Sequence, residues 1–357
     1  MLTTTLALPT TAEEIWRYSR INELEMSKYR RGAVATSVAG ADDIALQGAA
    51  ASELVGVAIA TAPDVFAQMN TEEPAVVALQ VGRGKAHAQT VVITHTIAES
   101  GIVAFPRLVI DAGENSEVTV VERFVSSDGV HSLVVPVVEV RAAQSARVTY
   151  LAINELGKDT WQIGNQVAVG LRDSNVRLFT VALGGDYARM RAEVRLVGQG
   201  ASAQQTALYF ADGTQMHDFR TLQVHEAPRT HSDLLFKGAV KDTAKSVYTG
   251  LIKISRDAVG SQAFQTNRNL TLSKGAWAES VPNLEIETND VKCSHASTVG
   301  PIDEEQRFYL ESRGIPPEIA ERLVVLGFFG EVISRLPVTP LVENLRNRVS
   351  EKLGGKS

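Results

Sequence analysis

Short strand-like apolar runs recur through the middle of this chain. The runs at 75–81, 90–94, 107–110, 137–140, 166–169, 194–197, 222–224, 251–254, 270–272 and 284–286 are rich in β-branched residues. Small or polar residues separate them, so the pattern predicts many short strands joined by turns. Helical periodicity is scarce between residues 76 and 300. The segments also resemble one another. Stretches 109–118, 139–148 and 168–176 each read as strand, small-polar turn, new strand, and 196–203 continues the theme. Ile110, Val140, Val169, Val197, Val224 and Ile254 recur at roughly thirty-residue intervals, a spacing typical of stacked repeats. Each rung of such an array buries its apolar face only against the next. The expected core is therefore a β-solenoid, or parallel β-helix, with a β-sandwich of accidental similarity as the alternative.

The flanks differ, which divides the chain into 1–75, 76–300 and 301–357. In the first part Thr11 stands three residues before Glu14, a capping-box pattern that predicts a helix start. An Ala-rich stretch of mixed helix and loop character follows at 41–67. The last part is helical. Asp303 is a good N-cap with Gln306 in the box position, and Gly314 ends the first helix. Pro316 and Pro317 open a second, where proline at the first position costs nothing. That second helix carries two apolar stripes, Ile319, Leu323, Leu326 and Ile333, and Val325, Phe328, Val332 and Leu336. A helix apolar on two faces wants two partners.

Composition removes several function classes. The 357 residues are 44% hydrophobic and 21% charged, ordinary for a globular protein. A net charge of -6 and the absence of a basic stripe argue against nucleic-acid binding. No apolar run approaches the ~20 residues of a membrane helix. The first residues lack the basic and apolar regions of a secretion signal, so cytoplasm is the expected compartment. One cysteine excludes an intramolecular disulfide.

That cysteine, Cys293, stands two residues from His295. On a strand both side chains point to one face. Thiolate and imidazole suit iron, zinc or copper, but two donors are fewer than a zinc site or an iron–sulfur cluster requires. The pair is a buried cysteine beside a capping histidine, or a partial site that another subunit completes. His217, His225 and His231 lack metal-ligand spacing and read as turn and rung-edge residues. The loop at 82–85 (Gly-Arg-Gly-Lys) lacks the full phosphate-loop pattern. No Gly-x-Ser-x-Gly elbow, dinucleotide fingerprint or His-Glu-x-x-His occurs.

Several motifs are more specific. They are Phe236-Lys-Gly-Ala, Ser246-Val-Tyr-Thr-Gly, Gln265-Thr-Asn-Arg-Asn-Leu-Thr-Leu-Ser, Pro282-Asn-Leu-Glu-Ile-Glu and Asp290-Val-Lys-Cys-Ser-His, followed by Thr298-Val-Gly. Asp303-Glu-Glu-Gln, Phe308-Tyr-Leu, Ser312-Arg-Gly-Ile and Gly327-Phe-Phe complete the set. Together they resemble the SufB/SufD family of iron–sulfur cluster assembly proteins, densely from about 230 to 340. Glu14-Ile-Trp-Arg-Tyr is similar to an element of its SufD branch. The SufB branch tends to carry Glu-His-Glu where this chain has Cys293-Ser294-His295, and a cysteine where 273–279 has none. Ala296-Ser297 departs from the Gly-Ala usual in the SufD branch, which touches the turn rather than the role.

The resemblance implies a right-handed parallel β-helix with helical N- and C-terminal parts. It implies a non-enzymatic subunit of a cytoplasmic complex with SufB and the ABC-type ATPase SufC, and a homodimer where SufB is absent. The C-terminal helices would dock SufC, with Phe308, Tyr309, Ile319, Leu323, Phe328, Phe329, Val332 and Ile333 as candidate contacts. The β-helix ends would pair with SufB. His295 and Cys293 would be candidate ligands for iron or a transient iron–sulfur cluster at that interface, with no cofactor held stably by the isolated chain. Two rivals remain: a β-helix enzyme such as a polysaccharide lyase or acyltransferase, and a purely structural adaptor in which Cys293 and His295 are inert.

Overall fold

Strand alternation with turn punctuation closes into a parallel β-solenoid. The computed structural model describes residues 7–354. Its solenoid strands are β1 (Ala75–Val81), β2 (Val91–Ile97), β3 (Pro106–Ala112), β4 (Glu117–Ser126), β5 (Val137–Ala142), β6 (Arg147–Glu155), β7 (Trp161–Gly170) and β8 (Asn175–Ala182). Then follow β9 (Tyr187–Leu196), β10 (Ser202–Ala211), β11 (Met216–His225), β12 (His231–Val240), β13 (Lys245–Ile254), β14 (Ser261–Thr271), β15 (Trp277–Ile286) and β16 (Val291–Gly300). Odd strands stack into one sheet and even strands into the other, each parallel to the next.

The small-polar turn of the repeat has a backbone cause. At one corner of successive rungs Asn115, Ser145, Asp173, Gly200, Arg229 and Gly260 all take positive φ, between 54° and 75°. Only Gly, and less readily short polar residues, visit that region cheaply. Each of these N–H groups donates to a carbonyl of the next rung's corner, as Ser145 does to Arg172 O (2.9 Å) and Gly260 to Asp290 O (2.7 Å). The anchors follow this stacking only in part. Ile110 and Val140 are register partners, but Val140 then meets Ala168 rather than Val169, and Val197 lies past the end of its strand. Corners of unequal length shift the register.

The interior changes character along the axis. Toward the N-terminal end it is apolar, with Ile110, Val120, Val140, Val148 and Val176 fully buried. Toward the C-terminal end hydrogen-bonded polar groups enter. Tyr209 Oη donates to Asn269 Oδ1 (2.6 Å), Asn267 Nδ2 donates to Tyr209 Oη (3.0 Å), and Thr221 Oγ1 lies 2.8 Å from Tyr248 Oη.

The two ends also differ. At the N-terminal end short antiparallel strands cover both edges, Ala35–Ala39 on β2 and Ala45–Leu46 on β1. At the C-terminal end β15 and β16 are the last strands of their sheets, and no described residue pairs beyond them.

The N-terminal part departs from the helical expectation. It holds 3-10 turns at Glu14–Trp16, Ile21–Glu23 and Met26–Lys28, and two short helices, α1 (Gly48–Glu53) and α2 (Val65–Glu72). The capping box does not form; Glu13, not Glu14, reaches back to Thr10 N (3.0 Å). Burial against the odd sheet decides its course. Trp16 and Ile21 are buried, and Arg189 sits 4.1 Å over the Trp16 ring while donating to Ile15 O. Farther on, the buried Glu139 pairs with Arg107 and accepts the N–H groups of Gly56, Ala58 and Ile59, all at 2.9 Å.

The C-terminal part is helical as expected: α3 (Glu304–Ser312), α4 (Pro317–Arg335) and an unforeseen α5 (Thr339–Lys352). Asp303 caps α3 by accepting the N–H groups of Glu305 and Gln306, and Gly314 follows at φ 84°. The helix α4 lies across the outer face of the even sheet. Val325, Phe329, Val332 and Ile333 are buried there against Leu208, Phe210, Leu235 and Ala239. Lys237 fixes the seat: its Nζ donates to Phe328 O (3.0 Å) and pairs with Glu331 (2.8 Å). No helix among the described residues is long and apolar enough to cross a membrane.

Candidate functional site

Register places Cys293 and His295 on the inner face of the solenoid's last rung. Cys293 pairs with the buried Ala263 and His295 with the buried Gln265, both inward residues of β14. The alternation read from the sequence therefore holds, and both side chains share one face. No rung follows among the described residues, so that face opens to solvent. Cys293 is half-buried against Ile252, Ile254 and Ala263, whereas His295 is exposed. Burial pushes the Cys293 thiol above its ordinary value, so it is protonated near neutral pH and must lose a proton to bind a metal.

The rest of the mouth is formed by the inner face of β15. Ser280, Pro282, Leu284 and Ile286 stack on Tyr248, Gly250, Ile252 and Ile254. Ser297 Oγ donates to Ser280 Oγ (2.7 Å) across the opening. Leu284 and Ile286 remain 42% and 41% exposed although their counterparts one rung below are fully buried. Trp277 and Val299 are also exposed, and Tyr18 of the N-terminal segment packs beside Trp277. Two unpaired edge strands, an apolar rim and a Cys–His row thus meet at one end. Solenoid ends ordinarily require a polar cap, and a bare edge invites another strand.

No group of three or more His, Cys, Asp or Glu among the described residues could hold a metal ion. The end therefore offers two adjacent donors, fewer than a metal site requires. The three sequence-adjacent histidines do not converge, as expected. His217 is buried with Nε2 3.1 Å from Gly184 O, His225 lies between Thr230 and Ser232, and His231 is exposed. Burial lowers the pKa of both His217 and His225 to about 4, which keeps them neutral.

The helical contacts need correction. Phe329, Val332 and Ile333 are spent on the solenoid, because the even sheet offers an apolar outer face to a side of α4 that takes residues from both stripes and Phe329 from neither. Phe328 is half-buried beneath Lys237. The outward apolar residues are Phe308, Tyr309, Ile319 and Leu323, with Phe308 71% exposed. Tyr309 and Leu323 line a groove of about 640 Å³ between α3 and α4, edged by Asp303 and Glu305.

The fold defines a class: a parallel β-solenoid whose last described rung is left uncovered. A protein-family model described as the SufBD core domain of SUF-system iron–sulfur cluster assembly matches residues 95–328. The chain belongs to that family. It is 43% identical over 224 residues to an iron–sulfur cluster assembly SufBD family protein of Mycobacterium tuberculosis, covering 60% of this chain and 56% of the relative. It is 32% identical over 251 residues to the iron–sulfur cluster assembly protein SufD of Bacillus subtilis (70% of this chain, 57% of the relative). The SufD of Escherichia coli is 28% identical over 281 residues (78% and 66%). The chain thus spans little more than half the length of the mycobacterial and Bacillus relatives.

Proposed function

We propose that this chain is a scaffold subunit of SUF-type iron–sulfur cluster assembly that performs no catalysis itself. Its open solenoid end would pair with SufB in the cytoplasm, or with a second copy of itself when SufB is absent. The observation that carries this reading is the pair of unpaired strands β15 and β16, whose inner faces present His295, Cys293 and an apolar rim together. Strand addition to such an edge satisfies backbone groups and buries the rim in one step. Pairing would also bring further donors to a row that has two. Iron or the nascent cluster is then cargo shared across the interface, with His295 as the accessible ligand and Cys293 beside it. Phe308, Tyr309, Ile319 and Leu323 give α3 and α4 a free apolar surface for SufC, whose ATPase would drive the assembly.

The test is co-purification with SufB and SufC followed by anaerobic reconstitution. The substitution His295→Ala removes an exposed ring with no packing role, so the three-subunit complex should assemble and its cluster yield should fall. An unchanged yield would refute the ligand role and leave a structural adaptor.

A further inference from the structure

Directly behind His295 lies a buried side chain with nothing to bind. Gln265 is its register partner one rung inside the mouth and is 2% exposed. Neither its Nε2 nor its Oε1 has a hydrogen-bond partner among the described residues. Leaving a buried polar group unsatisfied is costly, so a group of this kind points to a ligand or water. The amide reaches across the interior. A Cβ placed on Gly250, in the facing sheet, would overlap Gln265 Nε2 and stand 2.6 Å from Tyr248 Oη. Gly250 pairs with Pro282 of the last rung, so the amide lies just beneath the opening.

The neighbours do not fill this need. Tyr248 is engaged by Thr221 (2.8 Å), and Gln223 Nε2 by Ser232 Oγ (2.7 Å), while Gln223 Oε1 is itself unpaired. Deeper in the same column, Gln205 turns its Nε2 to Ala192 O (3.3 Å). Gln166 is also unpaired, but it lies far down the axis from the mouth. Gln265 is thus the unpaired amide that stands one rung from the exposed imidazole.

We propose that Gln265 is a positioning residue of the His295 site, its amide hydrogen-bonding from inside to the water or anionic ligand on a cation held by His295. This rests on the ligand role of His295. Outer partners of this kind typically change metal affinity by about 10–100-fold when removed.

Cobalt(II) alone, titrated anaerobically into the full chain and followed by its absorption, separates the two ideas. His295→Ala should abolish binding. Gln265→Leu keeps the volume and removes the amide, so it should weaken binding about tenfold. Its melting temperature should not fall, because replacing an unpaired buried amide by an apolar side chain is neutral or stabilising. Gln265→Glu restores an acceptor and should bind more tightly than the leucine variant. Wild-type affinity in Gln265→Leu, with binding still lost in His295→Ala, overturns the positioning role alone, as does equal weakness of the leucine and glutamate variants. Binding indifferent to His295→Ala, or absent from the wild-type chain, overturns both ideas.

Discussion

Placing lysines on the apolar rim should break pairing and spare the fold. Leu284 and Ile286 keep 42% and 41% of their surface in solvent at the open end. Fully burying a side chain of this size is worth about 1.5–3 kcal/mol. The two-fifths that a partner would cover is then worth roughly 0.6–1.2 kcal/mol at each position. The double substitution Leu284→Lys, Ile286→Lys forfeits about 1.2–2.4 kcal/mol of docking energy, or roughly 8–60-fold in affinity. It also adds two ammonium groups that docking must desolvate, which pushes the loss toward the upper end. Folding should change little, because the lysine heads can stay in water past the last rung. The assay is calorimetric titration of the variant against SufB, with sedimentation for any homodimer and a thermal melt as the control. Unchanged affinity in both assays would show that β15 is not covered by a partner, and the pairing argument would fail.

Phe329→Ala empties a buried site between α4 and Phe210 and should cost about 3–5 kcal/mol, read from urea midpoints. Early proteolysis near α4 should accompany it; equal midpoints would mean that the helices do not depend on this seat. His217 and His225 carry a pKa of about 4 in the fold against an ordinary 6.5. Between those values the unfolded chain takes up protons that the folded chain refuses. Stability is therefore complete above pH 6.5 and is lost as pH falls toward 4, by roughly 3 kcal/mol per ring. The variant His217→Gln should lose less stability than the wild type between pH 7 and 4.5 in urea titrations, and an equal loss would contradict the buried neutral ring.

Legibility in the sequence followed the range of the interaction. The Cys293–His295 row was readable because strand alternation is a two-residue property. The cap at Asp303 and the stop at Gly314 were equally local. The capping box at Thr11 failed for the complementary reason. A local helix signal in the N-terminal segment was outweighed by burying Trp16 and Ile21 on distant strands. The stripes of α4 were visible, yet Ile333 was grouped with the exposed Ile319 and Leu323. Which residues face the solenoid depends on where Leu208 and Leu235 stand, more than eighty residues away.

By itself the sequence determined the repeat, the strand-rich core, the helical tail and one face shared by a thiol and an imidazole. Each follows from backbone periodicity or from the steric needs of a turn. The tertiary structure alone decided that this face is the inner wall of the last rung, open because no described residue stacks beyond it. It alone brought an unpaired amide, Gln265, behind His295. Rung-to-rung register joins residues about thirty positions apart, and corners of unequal length shift it in ways that local pattern does not encode.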